Sequence, residues 1–125
     1  MRAWFVAKGT RIDTLRATPE LAFYPDRELE TLLPHFDEVT LPAGTVVARE
    51  GEKASAFVVV MQGRLKATTR SDRTRTLIAG DSFGWKAMWE RDSNTATVVV
   101  EEDARLLVMS HAQFRAAKCV PKSSR

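Results

Sequence analysis

The sequence predicts a mainly β domain flanked by short helices, and three observations lead there. From Asp37 onward the apolar residues recur at period two or in short runs. Glycines close those runs at tight intervals, whereas the residues before Asp37 carry helical spacing. Short strands in such succession make a closed or sandwiched β-fold.

Taken in order, Thr10-Arg11-Ile12-Asp13 reads as a capped helix start, with Leu15 continuing the apolar side until Pro19 intervenes. A second helix follows Pro25, with Asp26 as the expected N-cap. Its Leu29, Leu32, Leu33 and Phe36 fall at i, i+3, i+4 and i+7 on one face. Val39 and Leu41 then alternate before Pro42-Ala43-Gly44, and Val46 and Val47 follow. Ala56 to Met61 is a continuous apolar run that Gln62-Gly63 is expected to end. Leu65 and Ala67 alternate with Arg64, Lys66 and Thr68, and Ser71-Asp72-Arg73 is a polar turn before Thr76-Leu77-Ile78. Two further strands, Thr95 to Val100 and Arg105 to Met109, are expected on either side of a turn at Glu101-Glu102-Asp103. The helical stretch from Ser110 through Phe114 to Lys118 stops at Pro121, and residues 121–125 read as a frayed tail. The expected organisation is one domain over 1–125: a helical lead-in at 10–36, the β region at 37–109, and a short helix and tail at 110–125.

Composition narrows the functional classes. A chain of 125 residues with 44% hydrophobic residues can bury one core and has no room for a second domain. Its 19 basic residues are offset by 16 acidic ones, a net charge of +3 that neither requires nor forbids an acidic partner. Cys119 is the only cysteine, which excludes an intrachain disulfide and fits a reducing cytoplasm. Met1 to Val6 is too short an apolar run for a signal peptide or a membrane span.

Five of the six glycines stand at strand ends, in Pro42-Ala43-Gly44, Glu50-Gly51-Glu52, Met61-Gln62-Gly63, Ala79-Gly80-Asp81 and Phe83-Gly84. With this set of turns the chain resembles, from Ile12 to Ala117, the cyclic nucleotide-binding domain of the catabolite-activator, protein-kinase regulatory and ion-channel families. The resemblance implies an antiparallel, jelly-roll-like β-roll of about eight strands with helices at both ends. It also implies a short helix inside a phosphate-binding cassette. In that family the cyclic phosphate lies on amides at the start of the cassette helix and pairs with an arginine, while a glutamate binds the ribose 2′-hydroxyl.

Position by position, Phe83 and Gly84 agree with the cassette, Trp85 replaces the glutamate, Ala87 agrees, and Asn94 replaces the arginine. Thr95-Ala96-Thr97-Val98 agrees with the strand that leaves it. The ligand-binding residues so implied are Gly84, Trp85, Lys86, Ala87, Asn94, Thr95 and Ala96. Loss of the arginine removes a contact of roughly 1.5–3 kcal/mol, and an indole offers a donor where a sugar hydroxyl needs an acceptor. Lys86, or Arg91 in the cassette loop, could supply a substitute charge. Trp85 and Trp89, four residues apart, either form an aromatic platform or plug the pocket as core residues. A family lid helix and a helix-turn-helix reader have no room after Pro121, so DNA binding by this chain alone is not expected.

Other chemistry finds little support. His35 and His111 lack neighbouring ligands, which argues against a metal-binding cupin. Ser55, Ser93 and Cys119 lack a base, so no enzyme activity is expected. Arg64, Lys66, Arg70, Arg73 and Arg75, opposed only by Asp72, form a basic hairpin that reads as a solvated edge or as a surface for nucleic acid, acidic protein or membrane. Trp4 and Phe5 are expected to dock on the domain or on a second copy. The functional expectation is a stand-alone cyclic nucleotide-binding-like regulatory module with weak or altered ligand binding. It requires no cofactor and takes cyclic AMP or another cyclic nucleotide weakly. The alternative is a ligand-free protein-interaction module on the same β-roll, with a protein partner or a homodimer as its expected assembly. A nucleic-acid-binding regulator acting through a partner is a third reading.

Overall fold

The computed structural model describes residues 8–117, so the expectations for Trp4, Phe5, Cys119 and the tail lie outside the described residues. Helix α1 (Lys8–Ala17) leads through a 3-10 turn at Pro19–Leu21 into α2 (Asp26–Leu32) and a second 3-10 turn at Leu33–His35. Six strands follow: β1 (Asp37–Leu41), β2 (Val46–Ala48), β3 (Ala56–Thr68), β4 (Thr74–Leu77), β5 (Ser82–Phe83) and β6 (Thr97–Ser110). Helix α3 (Trp85–Glu90) sits between β5 and β6, and α4 (His111–Ala117) follows β6. The strands form one antiparallel sheet in the order β1-β6-β3-β4, with β2 paired to β6 and β5 to β3.

The apolar pattern explains why β3 is central. Phe57, Val59 and Met61 join the helices' Ile12, Leu15, Leu29 and Phe36 in one buried cluster. Val58, Val60 and Leu65 face the other way, into the roll, with Leu77, Val98, Val100 and Leu106. A strand covered on both faces reads as a continuous apolar run rather than an alternation. The helical stripe is equally well used, since Leu29, Leu32, Leu33 and Phe36 are all buried. Each fully buried side chain of this size contributes about 1.5–3 kcal/mol.

Several local expectations are corrected. Helix α1 already includes Lys8, so Thr10 lies within the helix and is not its cap. Pro25, not Asp26, caps α2; Asp26 is its first helical residue and pairs with Arg16. Proline suits that boundary because its fixed φ leads into the helix and its missing N–H is not needed there. Pro34 turns the last residues of the stripe into a 3-10 turn.

Strands β3 and β6 run through the positions expected to be turns, Gln62-Gly63 and Glu101-Glu102-Asp103, which is why six strands are counted against about eight expected. They pair with each other along most of their length, with register shifts from Val60 to Leu65. Both strands therefore bend together instead of breaking. Backbone crowding at the bend requires a glycine: a Cβ at Gly63 would lie 2.4 Å from the carbonyl oxygen of Asp103. Arg64 spans the same bend, its Nε 3.0 Å from Glu101 and its Nη1 2.8 Å from Glu102. At the far end, β4 begins at Thr74 rather than Thr76, and β6 at Thr97 rather than Thr95.

Candidate ligand pocket

Between β5, α3 and the start of β6 lies a pocket of about 420 Å³. Gly84, Trp85, Lys86 and Ala87 reach it from the beginning of α3, and Asn94, Thr95 and Ala96 from the segment before β6. All seven residues that the sequence singles out thus meet on one cavity. Phe83, Leu77 and Val98 supply its apolar floor from the roll.

The cassette backbone is held from several sides. Gly84 precedes α3 with φ +93°, and a Cβ there would stand 2.4 Å from the carbonyl oxygen of Ala56. Only glycine meets both demands. Met88, fully buried, anchors α3, and its amide closes the first turn onto the Gly84 carbonyl at 2.9 Å. The amides before it in that turn have no intrahelical acceptor and face outward along the helix axis. After α3 the chain is zipped to the β2–β3 loop: Ala54 donates to the Asp92 carbonyl (2.9 Å), and Asn94 donates to that of Glu52 (2.8 Å). Gly51 completes the zipper, donating to the Asn94 carbonyl at 3.0 Å. The Asn94 side chain adds a bond of its own, from Nδ2 to the Arg49 carbonyl at 3.0 Å. One of its two N–H donors is therefore spent on the scaffold.

Trp85 does not plug the pocket. Its indole meets Phe57 edge-on, with ring centroids 4.8 Å apart, and packs on the helix-side core while one flank borders the cavity. Trp89 contacts Trp85 at 6.0 Å with the planes at 70°, so the two rings offer no flat platform. The flat platform is corrected, and the core reading holds for Trp85 alone: α3 turns Trp85 toward the buried Phe57 ring and leaves Trp89 at the surface.

Charge on the wall is mixed. Lys86 and Arg75 are its cations, and Glu20, Glu90 and Asp92 its carboxylates. Arg91 is not on the wall; it ends α3 in the left-handed region at φ 56°. The basic hairpin is thereby divided. Arg64 is ion-paired, Arg75 is an exposed residue that borders the pocket with Ala67 and Leu77, and Lys66 is exposed off the pocket wall. The parity of Arg75 with Leu77 along β4 is the signal that identifies it. Glu20 had no local signal. It enters from the 3-10 turn after α1, where its Oε1 accepts a 2.7 Å bond from the buried Ser82 hydroxyl.

Among the described residues no group of three or more His, Cys, Asp or Glu side chains could hold a metal ion. None of the described helices is long and apolar enough to cross a membrane.

Comparison with known proteins agrees with this geometry. The sequence profile described as the cyclic nucleotide-binding domain matches residues 38–117. The chain is 28% identical over 107 residues to human cGMP-dependent protein kinase 2, covering 80% of itself and 14% of the kinase. It is 29% identical over 91 residues to the cGMP-dependent protein kinase of Eimeria tenella, covering 72% of itself and 9% of that protein. The chain thus spans a small fraction of the length of these relatives. Among solved structures, the N-terminal domain of a transcriptional regulator from Streptomyces coelicolor A3(2) superposes with a TM-score of 0.75 at 25% identity, over 86% of this chain and 79% of that one. The regulatory domain of Toxoplasma gondii PKA, crystallised with cAMP, superposes with a TM-score of 0.79 at 21% identity, over 92% and 47% of the two chains, a likeness of fold. With the profile covering most of the chain and the β-roll and cassette in place, the chain belongs to the cyclic nucleotide-binding domain family.

Proposed function

We propose that this chain is a regulatory module that binds a cyclic nucleotide weakly in the pocket behind α3. The observation that carries this reading is the convergence of Gly84, Trp85, Lys86, Ala87, Asn94, Thr95 and Ala96 on one cavity of about 420 Å³. That volume lies within the roughly 300–1,000 Å³ of small-molecule sites. The phosphate rests over the amides of Gly84 to Ala87, with Asn94 and Thr95 beside it. Affinity is low for two reasons. Asn94 lacks the charge of an arginine, and three carboxylates on the wall outnumber two cations, which opposes an anion.

The test is a titration with cyclic AMP and cyclic GMP to millimolar concentration, read by tryptophan fluorescence and by the amide resonances of Gly84, Trp85 and Thr95. A saturable change is expected, weakened about tenfold by Arg75→Ala and unaltered by Arg73→Ala, a hairpin cation off the pocket wall. No saturable change with either nucleotide overturns the reading.

A second reading, a ligand-free protein-interaction module, is favoured by the exposure of Ile78 (55%) and Trp89 (41%). It predicts that Trp89→Ala loses a partner captured from cell extract while the fold survives. If neither Trp89→Ala nor Ile78→Ser loses one, that reading fails.

A further inference from the structure

The whole net charge of the chain sits on one hairpin. Residues 66–75 hold four of its 19 basic residues, Lys66, Arg70, Arg73 and Arg75, and one of its 16 acidic ones, Asp72, so the rest balances at fifteen of each. All four cations are exposed, and none forms an ion pair among the described residues. The hairpin is held in shape at its tip. Thr69 donates to the Arg73 carbonyl at 2.9 Å, and the Arg70 amide donates to Glu50 Oε1 at 2.8 Å.

Strand β4 has an open edge, because among the described strands it pairs with β3 alone. The bond from Thr69 to Arg73 fixes which backbone groups face outward. In an antiparallel pair, bonded residues alternate with unbonded ones. Arg75 and Leu77 therefore bond to Ala67 and Leu65, while the N–H and C=O groups of Thr74 and Thr76 point away from β3. Neither threonine makes another hydrogen bond among the described residues. The edge stops at Ile78, whose amide donates to Asp81 Oδ2 (2.9 Å) and whose carbonyl accepts from the Asp81 amide (2.8 Å).

From the open edge and its charge we infer that β4 is a docking strand for an extended acidic segment of another protein, which adds to the sheet beside it. Backbone groups of the added strand meet those of Thr74 and Thr76. Its carboxylates, at alternate positions, meet Arg73 and Arg75, which share one face of β4. Nucleic acid and anionic lipid fit less well. Their phosphates accept hydrogen bonds only, leaving the Thr74 and Thr76 carbonyls unmatched, and residues 66–75 include no aromatic side chain for a base to stack on. A second copy fits worst, because it brings the same surplus of positive charge to the edge. The inference does not depend on nucleotide binding, since Lys66, Arg70 and Arg73 lie off the pocket wall.

The probe is an end-blocked peptide of alternating glutamate and threonine, titrated into the full chain and followed by backbone amide resonances. Saturable binding is expected, with the largest shifts at Thr74 and Thr76. Arg73→Ala should weaken it about tenfold, whereas Arg27→Ala, which removes an exposed cation of α2, should leave it unchanged. N-methylation of the peptide's threonines keeps its charge but blocks pairing with β4, and should also weaken binding at least about tenfold. Thr76→Pro removes one outward N–H, which an edge position tolerates, and should act in the same direction. Equal binding of the methylated and unmethylated peptides overturns the inference, because charge alone then explains the contact. So does tighter binding of a single-stranded oligonucleotide or of anionic vesicles than of the peptide. Absence of saturable peptide binding overturns it as well, and leaves the nucleotide reading standing.

Discussion

The indole of Trp85 stands edge-on to the ring of Phe57, centroids 4.8 Å apart and planes at 68°. Phe57 is fully buried on β3, and it touches Phe36 from the lead-in as well, at 6.1 Å. Three elements distant in sequence are therefore joined by one aromatic row. An edge-to-face pair adds about 0.5–1.5 kcal/mol to the area it buries. The cassette helix is thus fastened to the core through Trp85.

Trp85→Ala should accordingly destabilise the fold by about 2 kcal/mol, below the roughly 3–5 kcal/mol of a fully buried tryptophan because one flank borders the pocket. Trp89→Ala, at a surface position, should cost under about 1 kcal/mol. Urea midpoints with an unchanged slope measure both. Equal costs for the two variants would show that the Phe57 contact carries no stability.

Gly84 and Gly44 share a positive φ, at +93° and +95°, but differ in what surrounds them. Alanine at 44 would meet nothing within 4 Å, so only the left-handed backbone is penalised, by about 1–2 kcal/mol. Alanine at 84 would strike the Ala56 carbonyl as well, so its cost should exceed that of Gly44→Ala by at least about 1–2 kcal/mol. Thermal melting of the two variants decides the order. It should be accompanied by loss of whatever nucleotide response the wild type has, in Gly84→Ala alone.

Arg16 grips Asp26 with two hydrogen bonds of 3.0 Å, tying α1 to the first turn of α2. The hydrogen bond from the guanidinium holds the Asp26 carboxyl below its ordinary value of 3.8. A lowered folded-state pKa means that the charged form is favoured by folding. The pair therefore stabilises fully above the ordinary carboxylate value, and the contribution is lost as pH falls through the lowered one. Both side chains are exposed, so the effect is small. The stability difference between wild type and Asp26→Asn should be constant near neutral pH and shrink below about pH 4. Denaturant titrations at a series of pH values test this. A difference that grows on acidification would contradict the sign.

What the sequence disclosed depended on how local each determinant was. Leu29, Leu32, Leu33 and Phe36 announced a buried stripe because four residues of one helix face carry that information within two turns. The run from Phe57 to Met61 announced a strand covered on both sides. Gly63 misled, since a glycine after an apolar run reads as a turn; its partner across the bend, Asp103, lies forty positions away and decides that the strand continues. The cassette was legible as one contiguous segment. Arg75 was counted with a basic hairpin although its parity with Leu77 sets it on the side of β4 that borders the pocket. Glu20 could not be read at all, because only the fold brings it to Ser82.

Asn94 offers a gain-of-function test of the pocket. Its Nδ2 donates to the Arg49 carbonyl at 3.0 Å, and its backbone joins the cassette loop to Gly51 and Glu52. Asn94→Arg leaves the backbone bonds possible but gives up the side-chain one, at a cost of about 1 kcal/mol in stability. In exchange it places a permanent cation on a wall where carboxylates outnumber cations by three to two, making the count equal. Affinity for cyclic AMP should rise roughly ten- to a hundredfold, the worth of a charge-assisted contact. The increase should diminish at high salt, because part of it is long-range attraction in a partly open site. Isothermal titration of wild type and variant at two ionic strengths measures both effects. A variant that folds, loses the expected stability and yet binds no more tightly would mean that position 94 does not face the phosphate, and that the cassette holds its ligand in another pose.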